Sequence, residues 1–223
     1  MASNLILVTS VINTPKKSLS YSKIRSVYSR EERLEQTKKT INSIKHYIPD
    51  HKILLVECSD FTEDEEKYFN ENCDYILNLW NNKELHNKIF GISKSLGEGT
   101  MTINALEYIF QQKIEFNNLY KICGRYWLNE DFNYGVFNNS SDIFKKINNN
   151  INNIFTSFFK LTNKTAKILL LFLKKNENAM IQCIGYEVLF SNFLALLKYE
   201  NIKFIDYIGY EGNVTVCGSK YKG

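Results

Sequence analysis

The densest group of chemically active side chains in the sequence lies in the segment LYKICGRYWLNEDF, residues 119–132. An apolar run of the kind that forms a buried strand stops at Gly124, and Arg125 follows at once. A guanidinium group can bind a phosphate through two parallel hydrogen bonds. Asn129 and Asp131, a few residues later, carry the hard oxygen atoms that Mg²⁺ or Mn²⁺ prefers. The segment therefore indicates an anion site or a metal site.

Polar side chains stand out at two earlier places as well. Thr9 and Ser10 lie inside the apolar run NLILVTSVI, where buried hydroxyl groups need hydrogen-bonding partners. Arg30 and Arg33 belong to the charged start of SREERLEQTKKTINSIKHYI. Each of these arginines is either a solvated charge on a helix face or a cation available to an anionic ligand.

Two further candidates lie at predicted helix starts. Lys94 precedes the glycine-flanked stretch SLGEG, and the free backbone N–H groups of the following helix favour an anion there. Glu187 lies in the first turn of the amphipathic segment GYEVLFSNFLALLKY. The helix dipole favours an ionised carboxylate at that position. Glu187 is thus either a base that is ready at neutral pH or a glutamate that stabilises its own helix.

The elements that must position these residues alternate along the first part of the chain. Continuous apolar runs predict buried strands at NLILVTSVI, KILLVECS, CDYILNLW and NLYKICG. Helices are predicted between them at SREERLEQTKKTINSIKHYI, TEDEEKYFNEN and SKSLGEGTMTINALEYIFQQ. Ser29 and Glu32 have the spacing of a capping box at the start of the first helix, and Pro49 ends it. Residues 13–29 are predicted to form a loop.

This βαβαβαβ order predicts an α/β fold with a mostly parallel central sheet and helices on both faces. Ligands of such sheets bind at the carboxyl ends of the strands. Residues 9–10, 58–60 and 124–131 are predicted to lie there.

The remainder of the chain is less regular. Residues 138–153 are rich in asparagine, and DIFKKI within them is predicted to form loop and short helix. NIFTSFFKL, NIKFIDYIGY and NVTVCG are predicted as strands, and NKTAKILLLFLKK and GYEVLFSNFLALLKY as helices. No repeat or clear boundary is visible, so residues 1–223 are predicted to be a single domain.

Composition limits the possible classes of protein. The 223 residues have a net charge of +4 and are 44% hydrophobic, enough for a sizeable core. Basic and acidic residues are interleaved, so a nucleic-acid partner is not expected. The longest apolar run, ILLLFL, is too short for a membrane span, and no export signal is evident. The five cysteines are widely spaced and favour reduced thiols in a soluble cytoplasmic protein.

The order of ILVTSVI, SREERLEQTKKTINSI, KILLVECS, SKSLGEG and LYKICGRYWLNEDF resembles small nucleotide-sugar glycosyltransferases with the GT-A fold. Such enzymes are found in large DNA viruses, phages and bacterial surface-glycan clusters. The resemblance covers residues 4–135 and implies a nucleotide-sugar-binding half at residues 1–135, followed by a smaller acceptor half at residues 136–223. It implies transfer of a hexose or pentose from a nucleotide-diphosphate sugar, with UDP-sugar expected, to a hydroxyl of a glycan or glycoconjugate.

One departure from the pattern of that family bears on the metal ion. The family holds a divalent metal on the diphosphate with an Asp-X-Asp motif at the end of a strand. This chain has Gly124-Arg125-Tyr126 at that place. Either Asn129 and Asp131 hold Mg²⁺ or Mn²⁺ from a shifted position, or Arg125 neutralises the diphosphate without a metal.

The resemblance also implies roles for the candidate residues. Catalytic roles fall to Glu187, as the base, and to Asp131. Donor binding falls to residues at strand ends and helix starts, namely Thr9, Ser10, Arg30, Arg33, Lys94, Gly124, Arg125 and Tyr126. The missing Asp-X-Asp keeps a second class open, a non-catalytic nucleotide- or glycan-binding module with the same fold. A Rossmann methyltransferase or dehydrogenase is disfavoured, because no GxGxxG follows the first strand.

Overall fold

The computed structural model of the chain describes residues 4–223. Its strands are β1 (Asn4–Ser10), β2 (His51–Glu57), β3 (Tyr75–Asn78), β4 (Asn118–Cys123), β5 (Tyr126–Leu128), β6 (Asp142–Ile147), β7 (Asn150–Ile154), β8 (Phe158–Thr162), β9 (Ile202–Ile205), β10 (Tyr210–Asn213) and β11 (Lys220–Lys222). Its helices are α1 (Arg30–Tyr47), α2 (Glu63–Asn72), α3 (Lys83–Ile89), α4 (Lys94–Gln111), α5 (Tyr134–Phe137), α6 (Asn163–Lys175), α7 (Glu177–Ile181) and α8 (Tyr186–Leu196). Within the described range, none of these helices combines the length and apolarity needed to cross a bilayer.

The central sheet has eight strands in the order β3-β2-β1-β4-β8-β6-β7, with β9 paired to β6. The pairs β1–β2, β1–β4, β2–β3 and β6–β9 are parallel. The pairs β4–β8, β6–β8 and β6–β7 are antiparallel. The predicted α/β class with a mostly parallel central sheet is confirmed. A second, small antiparallel sheet has the order β11-β10-β5.

Both faces of the central sheet are covered. Successive side chains of a strand point to opposite faces. Leu5 and Leu7 of β1 join a core cluster with α4, α6 and α8, whereas Ile6 and Val8 join a second cluster with α1 and α2. All four side chains are buried, which explains why β1 reads as a continuous apolar run and not as an alternating one.

The start of α1 is fixed as the sequence predicts. The Ser29 side chain accepts a hydrogen bond from the Glu32 backbone N–H at 3.2 Å, and the Glu32 carboxylate accepts one from the Ser29 backbone N–H at 2.8 Å. The capping box is therefore confirmed. Residues 13–29, the predicted loop, are held against α3 by Arg25, whose guanidinium donates to the backbone carbonyls of Ile89 and Phe90.

Several predicted elements after residue 137 were wrong. DIFKKI is strand β6, because Ile143 and Phe144 are buried between the pairing partners β8 and β9. NIFTSFFKL is divided between the end of β7 and strand β8. NVTVCG is a tight turn after β10, in which the Val214 N–H donates to Ser219 and Gly218 has a φ of +71°. Long-range pairing decides these elements, and local composition does not report it.

Candidate active site

A cleft opens at the carboxyl ends of β1 and β4, where the predicted sheet should bind its ligand. It holds about 750 Å³ when the space open to solvent is included. The chain has four arginines, and three of them, Arg25, Arg33 and Arg125, line this cleft together with Lys94. We call it the cationic cleft.

Close packing at Gly124 explains why β4 ends where it does. The Gly124 N–H donates to the Thr9 carbonyl at 2.9 Å, and its own carbonyl accepts from the Thr37 hydroxyl at 3.1 Å. A Cβ at this position would lie 2.9 Å from the Ser10 Cβ and 3.0 Å from the Thr37 Oγ1. The strand end therefore packs directly on β1 and α1, and a side chain would separate them.

Arg125 is positioned by the C-terminal segment. Its Nη1 donates to the Asn213 carbonyl at 3.1 Å, and the Asn213 N–H donates back to the Arg125 carbonyl at 3.1 Å. The guanidinium also lies 5.7 Å from the centre of the Tyr126 ring. Tyr126 itself is buried against Tyr210 and does not line the cleft. Tyr126 therefore supports the Arg125 guanidinium from the protein interior.

Arg33 reaches the cleft from the first turn of α1 and is buried. Its Nε donates to the Val11 carbonyl. Burial, and then the positive charge of Arg125, lower the pKa of Arg33 to about 9. The opposing charge is that of Glu57, whose own pKa is raised by burial. Arg33 is therefore a desolvated cation beside a second cation, with only a weak counter-charge.

The hydroxyl groups of β1 have different surroundings. The Ser10 hydroxyl is buried and shares a hydrogen bond of 2.8 Å with the Thr37 hydroxyl. Thr9 is half-buried, and its hydroxyl has a long contact of 3.8 Å with the Cys123 sulfur. Both residues line the cleft, but only the Thr9 hydroxyl is available to a ligand.

Lys94 is the first residue of α4, so the stretch SLGEG is itself helical and does not precede the helix. Ser93 caps the helix by accepting from the Leu96 N–H at 3.1 Å. A Cβ on Gly97 would lie 2.8 Å from the Ile89 carbonyl oxygen, and one on Gly99 would overlap Met180. The glycines therefore let α4 pack closely against α3 and α7.

Lys94 and Glu98 separate the cationic cleft from an adjoining cavity. Both residues line both spaces, and the Lys94 Nζ lies 3.8 Å from the Glu98 Oε1. Burial alone would raise the pKa of Glu98, but the positive charges of Lys94, Lys121 and Arg125 lower it overall. Glu98 is therefore a carboxylate in the wall between two spaces.

Glu187 lines the adjoining cavity, in the first turn of α8. Burial, and then the negative charge of Glu98, raise its pKa. Burial and the charge of Glu98 therefore act against the helix dipole, which was expected to favour the ionised carboxylate. Tyr186, beside it, is buried and donates from its hydroxyl to Thr102 at 3.1 Å.

Arg30 lies outside the cationic cleft. Its Nε donates to the Glu65 Oε1 at 2.9 Å, and its Nη1 lies 3.2 Å from the Asp60 Oδ1. These contacts tie the start of α1 to the start of α2. The structure thus gives Arg30 a full set of carboxylate partners in place of the predicted donor contact.

Asn129 and Asp131 also lie outside the cleft, because β5 carries the chain into the small sheet. Asp131 accepts from the Tyr207 hydroxyl at 2.9 Å and pairs with the Lys222 Nζ at 3.1 Å. Asn129 is buried, and its Oδ1 accepts from the Asp131 N–H at 3.1 Å. Residues 4–223 contain no group of three or more His, Cys, Asp or Glu arranged to hold a metal ion. The structure does not bring Asn129 and Asp131 together as metal ligands at the site.

Two residues of this site, and a third beside it, were missed from the sequence. Lys121 is a buried lysine within β4, and its Nζ donates to the Thr156 carbonyl at 2.9 Å. A lysine inside an apolar strand was a usable signal, since a buried ammonium group needs partners. Glu98 follows Lys94 by four residues, the spacing of a helical ion pair. Arg25, in the loop, carried no signal.

Comparison with solved structures identifies the architecture. Core-mannan synthase A from Aspergillus fumigatus, in its Mn/GDP form, is similar with a TM-score of 0.56 and 12% identity, covering 93% of this chain and 74% of that one. A Desulfovibrio desulfuricans G20 protein, named as a nucleotide-diphospho-sugar transferase, is similar with a TM-score of 0.51 and 6% identity, covering 92% of this chain and 80% of that one. This chain has a GT-A-like fold.

The resemblance read from the sequence is confirmed at the level of the fold. No protein-family model matches the sequence, and no curated protein matches it either. In the GT-A-like fold of this chain, the cationic cleft lies at the carboxyl ends of β1 and β4.

Proposed function

We propose that this chain is a glycosyltransferase that moves a sugar from a nucleoside-diphosphate donor to a hydroxyl group of a glycan or glycoconjugate. The main support is the set of cations, Arg33, Arg125 and Lys94, at the carboxyl ends of β1 and β4. Clustered cations in a partly desolvated cleft favour a multiply charged anion such as a diphosphate. The GT-A-like fold, which two nucleotide-sugar transferase structures share, agrees with such a donor.

We place the donor in the cationic cleft, with UDP as the first nucleotide to test. The Thr9 hydroxyl, whose contact with the Cys123 sulfur is long at 3.8 Å, lies in the same lining as the diphosphate cations. A ribose hydroxyl group is a suitable partner for it. The loop at residues 13–29 and the turn after β10, through Thr14 and Thr215, form the other walls.

We place the acceptor in the adjoining cavity, beside Glu187. The acceptor oxygen attacks the anomeric carbon, the bond from that carbon to the donor phosphate breaks, and Glu187 takes the acceptor proton. The raised pKa makes the Glu187 carboxylate a stronger base than an ordinary glutamate. Glu98 contributes to that raised pKa from the wall between the two spaces.

A thermal-shift screen of UDP-, GDP- and dTDP-sugars tests the donor site. A donor at about 100 times its dissociation constant should stabilise the fold by about 2.7 kcal/mol. Absence of a shift with every donor, with or without Mn²⁺, would refute the proposal.

Release of nucleoside diphosphate in the presence of glycan acceptors tests turnover. Glu187→Gln keeps the shape of the side chain and should reduce turnover by about 10²–10⁴-fold with donor affinity nearly unchanged. A product with retained anomeric configuration would remove the need for this base. Donor binding without turnover on any acceptor would instead favour the non-catalytic binding module.

A further inference from the structure

We infer that this chain neutralises the leaving diphosphate with the guanidinium groups of Arg33 and Arg125, assisted by Lys94, in place of a divalent metal ion. The inference rests on the proposed function and concerns how its donor site works.

The residues at the end of β4 do not fit a divalent metal. Mg²⁺ and Mn²⁺ require several oxygen ligands, usually including carboxylates. Among residues 4–223, Glu98 is the one carboxylate that lines the cationic cleft. It lies close to Lys94 and experiences the charges of Lys121 and Arg125 as well. A divalent cation in this cleft would therefore meet one carboxylate and several positive charges.

The four arginines of the chain differ in a way that identifies the anion site. Arg30 has two carboxylate partners, and Arg25 is bound by backbone carbonyls. The hydrogen bonds of Arg33 go to the Val11 carbonyl and the Ser26 hydroxyl, and that of the Arg125 side chain goes to the Asn213 carbonyl.

Within the described residues, neither Arg33 nor Arg125 has a carboxylate at ion-pair distance. They are nevertheless near enough for Arg125 to lower the pKa of Arg33. Two guanidinium groups placed together with no carboxylate in direct contact repel each other until an anion binds between them.

The chemistry of the transfer needs such a pair of charges. When the acceptor oxygen bonds to the anomeric carbon, the bond between that carbon and the β-phosphate oxygen breaks, and its electron pair stays on the phosphate oxygen. The acceptor proton goes to the Glu187 carboxylate, and the departing diphosphate gains one negative charge. Preorganised guanidinium groups in a partly desolvated cleft stabilise that charge without reorganisation.

Calorimetric titration of the full chain with UDP and with GDP tests the inference. Each titration is run in EDTA and again with added Mn²⁺ or Mg²⁺. We expect the same dissociation constant in all three conditions for whichever nucleotide binds. Arg125→Met and Arg33→Met should each weaken binding by about 10- to 150-fold, the loss expected for a charge-assisted hydrogen bond. Arg125→Lys should recover part of the affinity, because it restores the charge but not the bidentate geometry.

Arg30→Met is the matched control, since it removes the same side chain outside the cleft and should leave the dissociation constant unchanged. Lys94→Met serves where an arginine variant fails to fold, because the Lys94 side chain is 42% exposed, and it should also weaken binding.

Binding that disappears in EDTA and returns with Mn²⁺ would overturn the inference and leave the proposed function standing. Wild-type affinity in both Arg125→Met and Lys94→Met would also overturn it. A failure of every nucleotide to bind in any condition would instead refute the proposed function itself.

Discussion

Arg33→Met should separate stability from function in this chain. Without a ligand, Arg33 is a buried guanidinium whose pKa is lowered by burial and by Arg125. A cation with a lowered pKa disfavours the folded state at every pH below that pKa, which includes neutral pH. Removing this charge should therefore stabilise the ligand-free fold, although the variant also loses the hydrogen bond to the Val11 carbonyl.

The two effects can be compared in size. Leaving a buried carbonyl without its donor costs about 1–3 kcal/mol. Replacing buried charges by apolar side chains of similar volume is often neutral or stabilising by about 1–4 kcal/mol. The middle values of the two ranges nearly cancel, so we expect the unfolding free energy to change by less than about 1 kcal/mol. Each kcal/mol moves Tm by about 2–4 °C in a chain of this size.

The same substitution at the other arginine, Arg30→Met, should lower the unfolding free energy. Its partner Glu65 has a side chain that is only 7% exposed, and Arg30 is the first cause of the lowered pKa of that carboxyl. Loss of the charged hydrogen bonds should destabilise the fold by about 1.5–3 kcal/mol.

Thermal and urea denaturation of the two variants, each with and without UDP, is the measurement. Arg33→Met should keep its stability and lose most of the UDP-induced shift, whereas Arg30→Met should lose stability and keep the shift. A loss of stability in Arg33→Met as large as that in Arg30→Met would show that Arg33 is a structural residue, and the reasoning would fail.

The other predictions concern the base, the strand end and the metal. Turnover should rise with pH through the raised pKa of Glu187, and Glu98→Gln should move that rise to lower pH in a pH–rate profile; an unmoved profile would contradict the coupling. Gly124→Ala should lower the unfolding free energy by about 1–3 kcal/mol through overpacking, whereas Gly185→Ala, whose Cβ would meet nothing nearer than 3.7 Å, should change Tm much less. Asp131→Ala should bind UDP as the wild type does. If the wild type bound UDP only with a metal ion and this variant lost that binding, Asp131 would be restored as a metal ligand.

The first half of the fold could be predicted because its signals are local. β1, β2 and β4 are buried on both faces and appear as unbroken apolar runs. The Ser29 capping box needs only four neighbouring residues. The rule that ligands bind at the carboxyl ends of parallel strands then points to Gly124 and Arg125 from the sequence alone.

The failures share a different physical cause, which is pairing between distant parts of the chain. Residues 124–131 were predicted to lie at the ligand-binding ends of the strands, but Tyr126, Trp127 and Leu128 form β5 and pair with β10 more than eighty residues later. The Trp127 indole N–H also donates to the Glu211 carboxylate at 2.7 Å. This pairing takes Asn129 and Asp131 away from the cleft, and no periodicity near residue 129 reports it.

The same long-range packing decides what each arginine does. Arg30 and Arg33 lie three residues apart in one helix, and their sequence surroundings are nearly alike. The helix turns Arg30 towards α2, where Glu65 and Asp60 satisfy it, and turns Arg33 towards the end of β1, where Arg125 arrives from β4. Arg30 therefore forms ordinary ion pairs, whereas Arg33 forms one half of the proposed anion site. The difference lies in the partners that the fold supplies: among the described residues, Arg30 has carboxylates at ion-pair distance, whereas Arg33 and Arg125 are held by backbone carbonyls.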